Sequence, residues 1–167
     1  MREEKESDLW ETPESLFHEL DLEFGFEIDL CASYHNSKCD IFSDDLFSCN
    51  LWIKRDYYGE FSGLSGDWQW SDYRAAFMNP PYSNPLPFVQ EAYYLSESIP
   101  VVCLIKCDTS TKTWAVFWDY INNKPKPGIE VRFLPKRLKF ERNGVPSKNC
   151  ANFPSVIVVM DRRNVNK

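Results

Sequence analysis

Apolar and polar positions in this chain fall into short blocks, and the spacing within each block predicts its local structure. "AAFM" (75–78), "IPVVCLIK" (99–106) and "SVIVVMD" (155–161) are apolar runs edged by turn or polar residues. Runs of that length predict strands buried on both faces. "IEVRFL" (129–134) predicts another strand, and "FEIDLCAS" (26–33) predicts one that breaks after Asp29. Helical spacing appears in "PFVQEAYYLSES" (87–98) at Phe88, Ala92 and Leu95, and a second helix is predicted over "TKTWAVFWDYIN" (111–122). Near the start, "TPESLFHEL" offers Thr12 as an N-cap, Pro13 at the first helical position and Glu14 in the first turn. Leu16, Phe17 and Leu20 give that helix an apolar face. Strands alternating with helices predict an α/β fold, a mostly parallel sheet covered on both faces. The last two strands have no helix between them, so an antiparallel addition is predicted at the sheet edge. In such sheets ligands bind beyond the carboxyl ends of the strands, where Asp29 and Asn79 fall.

The 167 residues predict one domain over 9–162, with a polar start at 1–8 and a tail at 163–167. A 43% hydrophobic and 16% aromatic content excludes general disorder. No apolar run approaches the roughly 20 residues that cross a bilayer, and "MREEKESDLWE" has no apolar signal region. The expected setting is soluble and cytoplasmic. Six cysteines without a Cys-x-x-Cys pair, and only His18 and His35 beside them, predict reduced thiols, mostly buried, and no metal site.

Charge changes the picture. The net charge is −6, but residues 1–84 carry 6 Lys and Arg against 18 Asp and Glu, while residues 85–167 carry 13 against 7. Basic residues gather at "NNKPKPG" (122–128) and "PKRLKFERNG" (135–144), where Lys136, Arg137, Lys139 and Arg142 form a candidate phosphate-binding set. A solvated surface would look the same from sequence alone.

The most informative stretch is "AAFMNPPYSNPLPF" (75–88). Pro80 and Pro81 cannot donate to a sheet ladder, so the strand must end at them. An ordinary turn would use the same residues. The chemical reading is more specific. An exocyclic amine on a nucleobase is a poor nucleophile because its lone pair is delocalised into the ring. Two acceptors around its hydrogens favour a tetrahedral nitrogen. The Asn79 side-chain oxygen and the Pro80 carbonyl can supply them, Pro81 keeps Pro80 extended, and Tyr82 offers a flat face to an unstacked base. The electrophile must then already be potent, as a sulfonium methyl is, so that alignment and electrostatics suffice.

"NPPY" after an apolar strand resembles the catalytic motif of S-adenosylmethionine-dependent amino-methyltransferases. "DLWETPESLF", "IDLCASYHN", "DDLF", "NPPYS", "PFVQEA", "VVCLIKCDTSTKTW" and "KRLKF", in that order over about 8–160, resemble the phage and prophage DNA N6-adenine methyltransferase family. The resemblance implies a Rossmann-like methyltransferase fold and adenine-N6 methylation of double-stranded DNA with the target base flipped out. Asn79, Pro80, Pro81 and Tyr82 would be catalytic. Trp10, Thr12 and Pro13 would pack on the methionine end of S-adenosylmethionine, and Asp29 would meet its ammonium or ribose. Cys31, Ala32 and Ser33 would admit it at the backbone. Asp45 would reach its adenine end, with Asp44 as a competitor for that role. Phe140 would cover the other face of the flipped base, with Phe153 as a rival.

The chain departs from methyltransferases in general in having no glycine-rich loop after the first strand; "DLCAS" must serve instead. It also shows no separate target-recognition domain, so DNA contact would come from loops such as 83–87, 107–113 and 122–128, from the basic segment, or from a second copy in a homodimer. Cytosine N4 methylation is the nearest alternative, since both amines fit the same acceptors. An inactive DNA- or cofactor-binding module and an acidic DNA mimic are readings of other classes.

Overall fold

The computed structural model describes residues 6–44, 51–54, 61–63 and 69–165. In chain order, α1 (Glu14–Phe24) leads to β1 (Ile28–Leu30), β2 (Ile41–Ser43), β3 (Trp52–Lys54), β4 (Phe61–Gly63) and β5 (Ala76–Met78). Then come α2 (Leu86–Leu95), β6 (Val101–Lys106), α3 (Lys112–Phe117) and a small hairpin, β7 (Trp118–Asp119) with β8 (Lys124–Pro125). The chain finishes with β9 (Ile129–Phe133), a second hairpin of β10 (Glu141–Arg142) and β11 (Val145–Pro146), and β12 (Ser155–Met160).

The main sheet has eight strands in the order β4-β3-β2-β1-β5-β6-β12-β9. Its centre, β2, β1, β5 and β6, is parallel. The two final strands of this sheet form the antiparallel addition at one edge, with β12 between β6 and β9 and β9 outermost. At the other edge β3 and β4 add antiparallel pairings within a region whose sequence reads as irregular.

Period-two alternation sorts the core into two faces. Ile28, Leu30, Ala76, Met78, Val101, Cys103 and Val158 join Val89 and Ala92 of α2 and Trp114 and Phe117 of α3. Phe77, Val102, Leu104, Ile157 and Val159 join Phe17 and Leu20 of α1. Burying both faces explains why the central strands are apolar runs without alternation.

Three local expectations change. Pro13, not Thr12, occupies the N-cap of α1, and no side chain of its own caps it. The Glu141 carboxylate, 127 positions away, instead accepts the Glu14 N–H at 3.2 Å. Negative charge at that terminus also suits the helix dipole. α1 ends at Gly25, which adopts φ 63° and donates to Asp21 O, the left-handed closure glycine permits without strain. α3 stops at Phe117 rather than continuing to 122. There the Phe117 carbonyl accepts from Lys126 N, and the Lys126 ammonium reaches the Ala115 and Val116 carbonyls, so the hairpin supplies the helix's end. β1 runs through Leu30 and turns at Cys31, whose φ is 62°.

Candidate active site

The carboxyl ends of β1 and β5 lie side by side, with Asp29 in register with Phe77 and Leu30 with Met78. Alternation therefore directs Asp29, Phe77 and Asn79 toward the α1 face. A narrow cleft forms there, lined in part by Trp10, Thr12, Asp29, Cys31, Ala32 and Asn79. These residues were singled out from separate stretches of sequence, and the fold brings them together. Asn36, the last residue of "IDLCASYHN", and Lys38 join the same lining, though neither was assigned a role there.

Asn79 is the centre of this geometry. Its Nδ2 donates to the Trp10 carbonyl at 2.9 Å, while its buried Oδ1 has no hydrogen-bond partner among the described residues. The first contact fixes the amide's orientation; the second leaves a desolvated acceptor with unused capacity. Such an acceptor costs roughly 1–3 kcal/mol when nothing bonds to it, so it favours a donor arriving from outside. The segment before α1 is tied down at further points. Asp8 accepts the Ser83 N–H at 2.8 Å, and Glu11 exchanges backbone hydrogen bonds with Glu141 at 2.9 Å in each direction.

Asp29 is 4% exposed, and its Oδ2 accepts the Lys38 backbone N–H at 2.7 Å. Thr12 is buried too, and its Oγ1 has no partner among the described residues. Its hydroxyl is therefore available to the cleft rather than spent on the helix cap. Burial, then the Asp29 charge, pushes the Cys31 thiol well above its ordinary range. It stays a neutral thiol, unsuited to nucleophilic work. Its positive φ is the backbone turn a glycine would make without strain. Ala32 N–H donates to Ser43 O, and Ser33 N–H and Oγ both bond Asn36 Oδ1, which closes the loop after β1. Pro13 and Ser33 are near in sequence but are not among the cleft's lining residues. Asp45 lies outside the described residues, and Asp44 is exposed at the end of β2.

Tyr82 sits in a cluster of four rings. Its centroid is 5.2 Å from Phe153, 5.4 Å from Phe140 and 6.1 Å from Trp10. Trp10 stacks on Phe140 at 5.0 Å and 18°. Phe140 is 1% exposed, whereas Phe153 is only partly buried. Burial pushes the Tyr82 phenol far up, Ser155 opposing part of the shift, yet neither hydroxyl makes a hydrogen bond of normal geometry. Tyr82 therefore offers its ring and not an ionisable oxygen.

Lys136, Arg137, Lys139 and Arg142 are all exposed and make no ion pair with any described residue. They flank Phe140, so the basic segment borders the aromatic cluster. Among the described residues no three His, Cys, Asp or Glu side chains gather to hold a metal. Of the described cysteines, Cys39 and Cys103 are buried, Cys31 and Cys107 half-buried and Cys150 exposed. No helix among the described residues is long and apolar enough to cross a membrane.

The fold is an open, mixed α/β sheet with an amide acceptor and a buried carboxylate near the carboxyl ends of adjacent parallel strands, the place where open α/β sheets in general bind ligands. Residues 2–166 match the family described as DNA N-6-adenine-methyltransferase (Dam), and the chain belongs to that family. The DNA N-6-adenine-methyltransferase of Haemophilus phage HP1 (strain HP1c1) is 39% identical over 113 residues, 64% of this chain and 54% of the relative. The DNA N-6-adenine-methyltransferase of Escherichia phage T1 is 29% identical over 106 residues, 62% of this chain and 38% of the relative. The matches thus span about half, or less, of these relatives' lengths.

Proposed function

We propose that this chain transfers a methyl group from S-adenosylmethionine to the N6 amine of adenine in DNA. The observation that carries the reading is the buried, unpartnered Asn79 Oδ1, held in orientation by the carbonyl of Trp10, whose ring lies 6.1 Å from that of Tyr82. Family membership selects adenine over cytosine. A Rossmann-like methyltransferase arrangement is the reading of the fold, with residues 9–162 as one catalytic domain. The expected setting is the cytoplasm of a bacterial host.

The cleft fits one end of the cofactor. It is much smaller than the roughly 300–1,000 Å³ usual for a complete small-molecule site, but its donor set suits an amino-acid end. Asp29 would receive an ammonium or hydroxyl, the unpartnered Thr12 Oγ1 would bond a polar group, and Trp10 would cover the apolar part. Asp45 is assigned to the adenine end. When bound, S-adenosylmethionine supplies an activated methyl on a positively charged sulfur.

The chain's own residues handle the amine. Asn79 Oδ1 and the Pro80 carbonyl accept its two N–H groups and draw electron density onto the nitrogen. Tyr82 stacks on the extruded base, with Phe153 or Phe140 closing the opposite side after the cluster opens. The proton leaves after methyl transfer, when the nitrogen is positively charged and acidic, so no strong general base is required. The exposed basic segment beside the rings holds the backbone. The test is methylation of DNA in expressing cells, followed by digestion to nucleosides. N6-methyladenine is expected; N4-methylcytosine would move the activity to the other amine, and an unmodified nucleoside profile would overturn the assignment.

A further inference from the structure

A cation stands at the rim of the aromatic cluster without a part in the reading above. Lys106 is the last residue of β6, and its Nζ lies 5.7 Å from the centre of the Phe153 ring. Phe153 is itself 5.2 Å from Tyr82. The next residue, Cys107, donates its N–H to Pro154 O at 2.9 Å, tying the end of β6 to the segment that carries Phe153. The backbone of Lys106 is thus fixed relative to the rings, while its side chain is 48% exposed.

Its present ion pair is weak. Asp108 Oδ2 is 3.4 Å away, and both groups are substantially exposed. That carboxylate also accepts the Ser110 hydroxyl at 2.7 Å and the Ser110 N–H at 3.3 Å. A long, solvated pair of this kind holds a lysine loosely. Nor does Lys106 line the cleft assigned to the cofactor.

Resting on the proposed reading, we infer that Lys106 binds the phosphate of the extruded nucleotide. A base seated on Tyr82 leaves its sugar and phosphate at the rim of the cluster, where a compact ammonium on a flexible stem can meet an anion. Lys136, Arg137, Lys139 and Arg142 have a different geometry. They are exposed on the segment around Phe140 and suit the backbone of duplex whether or not a base has turned out. Lys106 should therefore distinguish flipped from unflipped DNA, and the basic segment should not.

The test compares wild type with Lys106→Met and Lys106→Arg on two duplexes of equal length. One contains a site found methylated by the wild-type protein, with 2-aminopurine at the target; the other lacks the site. Lys106→Met should weaken binding to the first on the order of tenfold and flatten its salt slope by about one unit. It should also reduce the fluorescence rise of the extruded 2-aminopurine. Binding to the second duplex should be unchanged, and Lys106→Arg should restore most of the loss. Equal losses on both duplexes, or unchanged affinity and slope on the first, would overturn the role of Lys106 while leaving the methyltransferase reading intact. Wild-type protein that methylates no DNA would overturn both.

Discussion

Both faces of the sheet are buried, but they end differently. On the α2 and α3 face, aliphatic strand residues meet Trp114 and Phe117 in a sealed core. On the α1 face, the core is aromatic and continues outward. Phe17, Phe26 and Phe77 contact one another at 5.2–5.5 Å. The same buried cluster reaches Phe140, against which Trp10, Tyr82 and Phe153 pack. One face ends in a closed core. The other makes its last layer of core into the first layer of the site, so its side chains are held by the packing that rigidifies the fold.

The largest expected effect tests the sealed face. Phe117→Ala should cost about 3–5 kcal/mol of stability, because Phe117 is fully buried and tilted against Trp114 at 5.1 Å. Turnover by the remaining folded protein should hardly change. Chemical denaturation paired with single-turnover transfer at low temperature measures both, and a large fall in turnover would erase the distinction between faces.

Asn79→Ala should show the opposite pattern. Losing the oriented acceptor should reduce turnover by about 100-fold or more. Stability should shift by only about 1 kcal/mol, the ordinary worth of its hydrogen bond to Trp10. A folded variant that binds cofactor and DNA and methylates at the wild-type rate would reduce "NPPY" to a turn.

Tyr82→Ala belongs to both categories at once, which is the sharper form of the comparison. Base capture should weaken by roughly 1–3 kcal/mol, and the four-ring cluster should loosen as well. Tyr82→Phe should stay within about 1 kcal/mol of wild type in both, because the buried hydroxyl has no hydrogen-bond partner to lose. DNA affinity and melting temperature measured on the same preparations separate the two contributions.

The smallest effect lies at the outer edge of the aromatic face. Arg132 grips Glu23 through two nitrogens at 2.6 and 2.7 Å, joining β9 to α1. The hydrogen bond from Arg132 holds the Glu23 carboxyl below its ordinary value of 4.5. A carboxyl depressed in the folded state stabilises above its unfolded pKa, and that contribution disappears as pH falls through the folded value. Stability curves of wild type and Glu23→Gln should converge slightly below pH about 4.5 and remain parallel above it. The pair is exposed, so the difference should be small; curves that separate only on acidification would refute the sign.

The sequence by itself determined the elements whose information is local. β6 and β12 are continuous apolar runs because both their faces are covered, and the strand before "NPPY" must stop where two prolines cannot donate. The same patterns put Asp29 and Asn79 near the carboxyl ends of strands, but only the assembled sheet makes those strands neighbours and carries β1 on to Leu30. The tertiary structure decided what required distant segments to meet. Thr12 read as an N-cap, but Glu141 reaches across 127 positions to that helix end and leaves the threonine to the cleft. The Trp10 carbonyl orients Asn79 from 69 positions away, and Asn36 and Lys38 enter the cleft from the loop after β1, a role no local pattern assigned to them. Helical and strand periodicity report which face of an element is buried, but not which partner buries it. That choice depends on closing long loops, whose entropy varies too slowly with length to select a partner, and on packing that exists only once the sheet has formed.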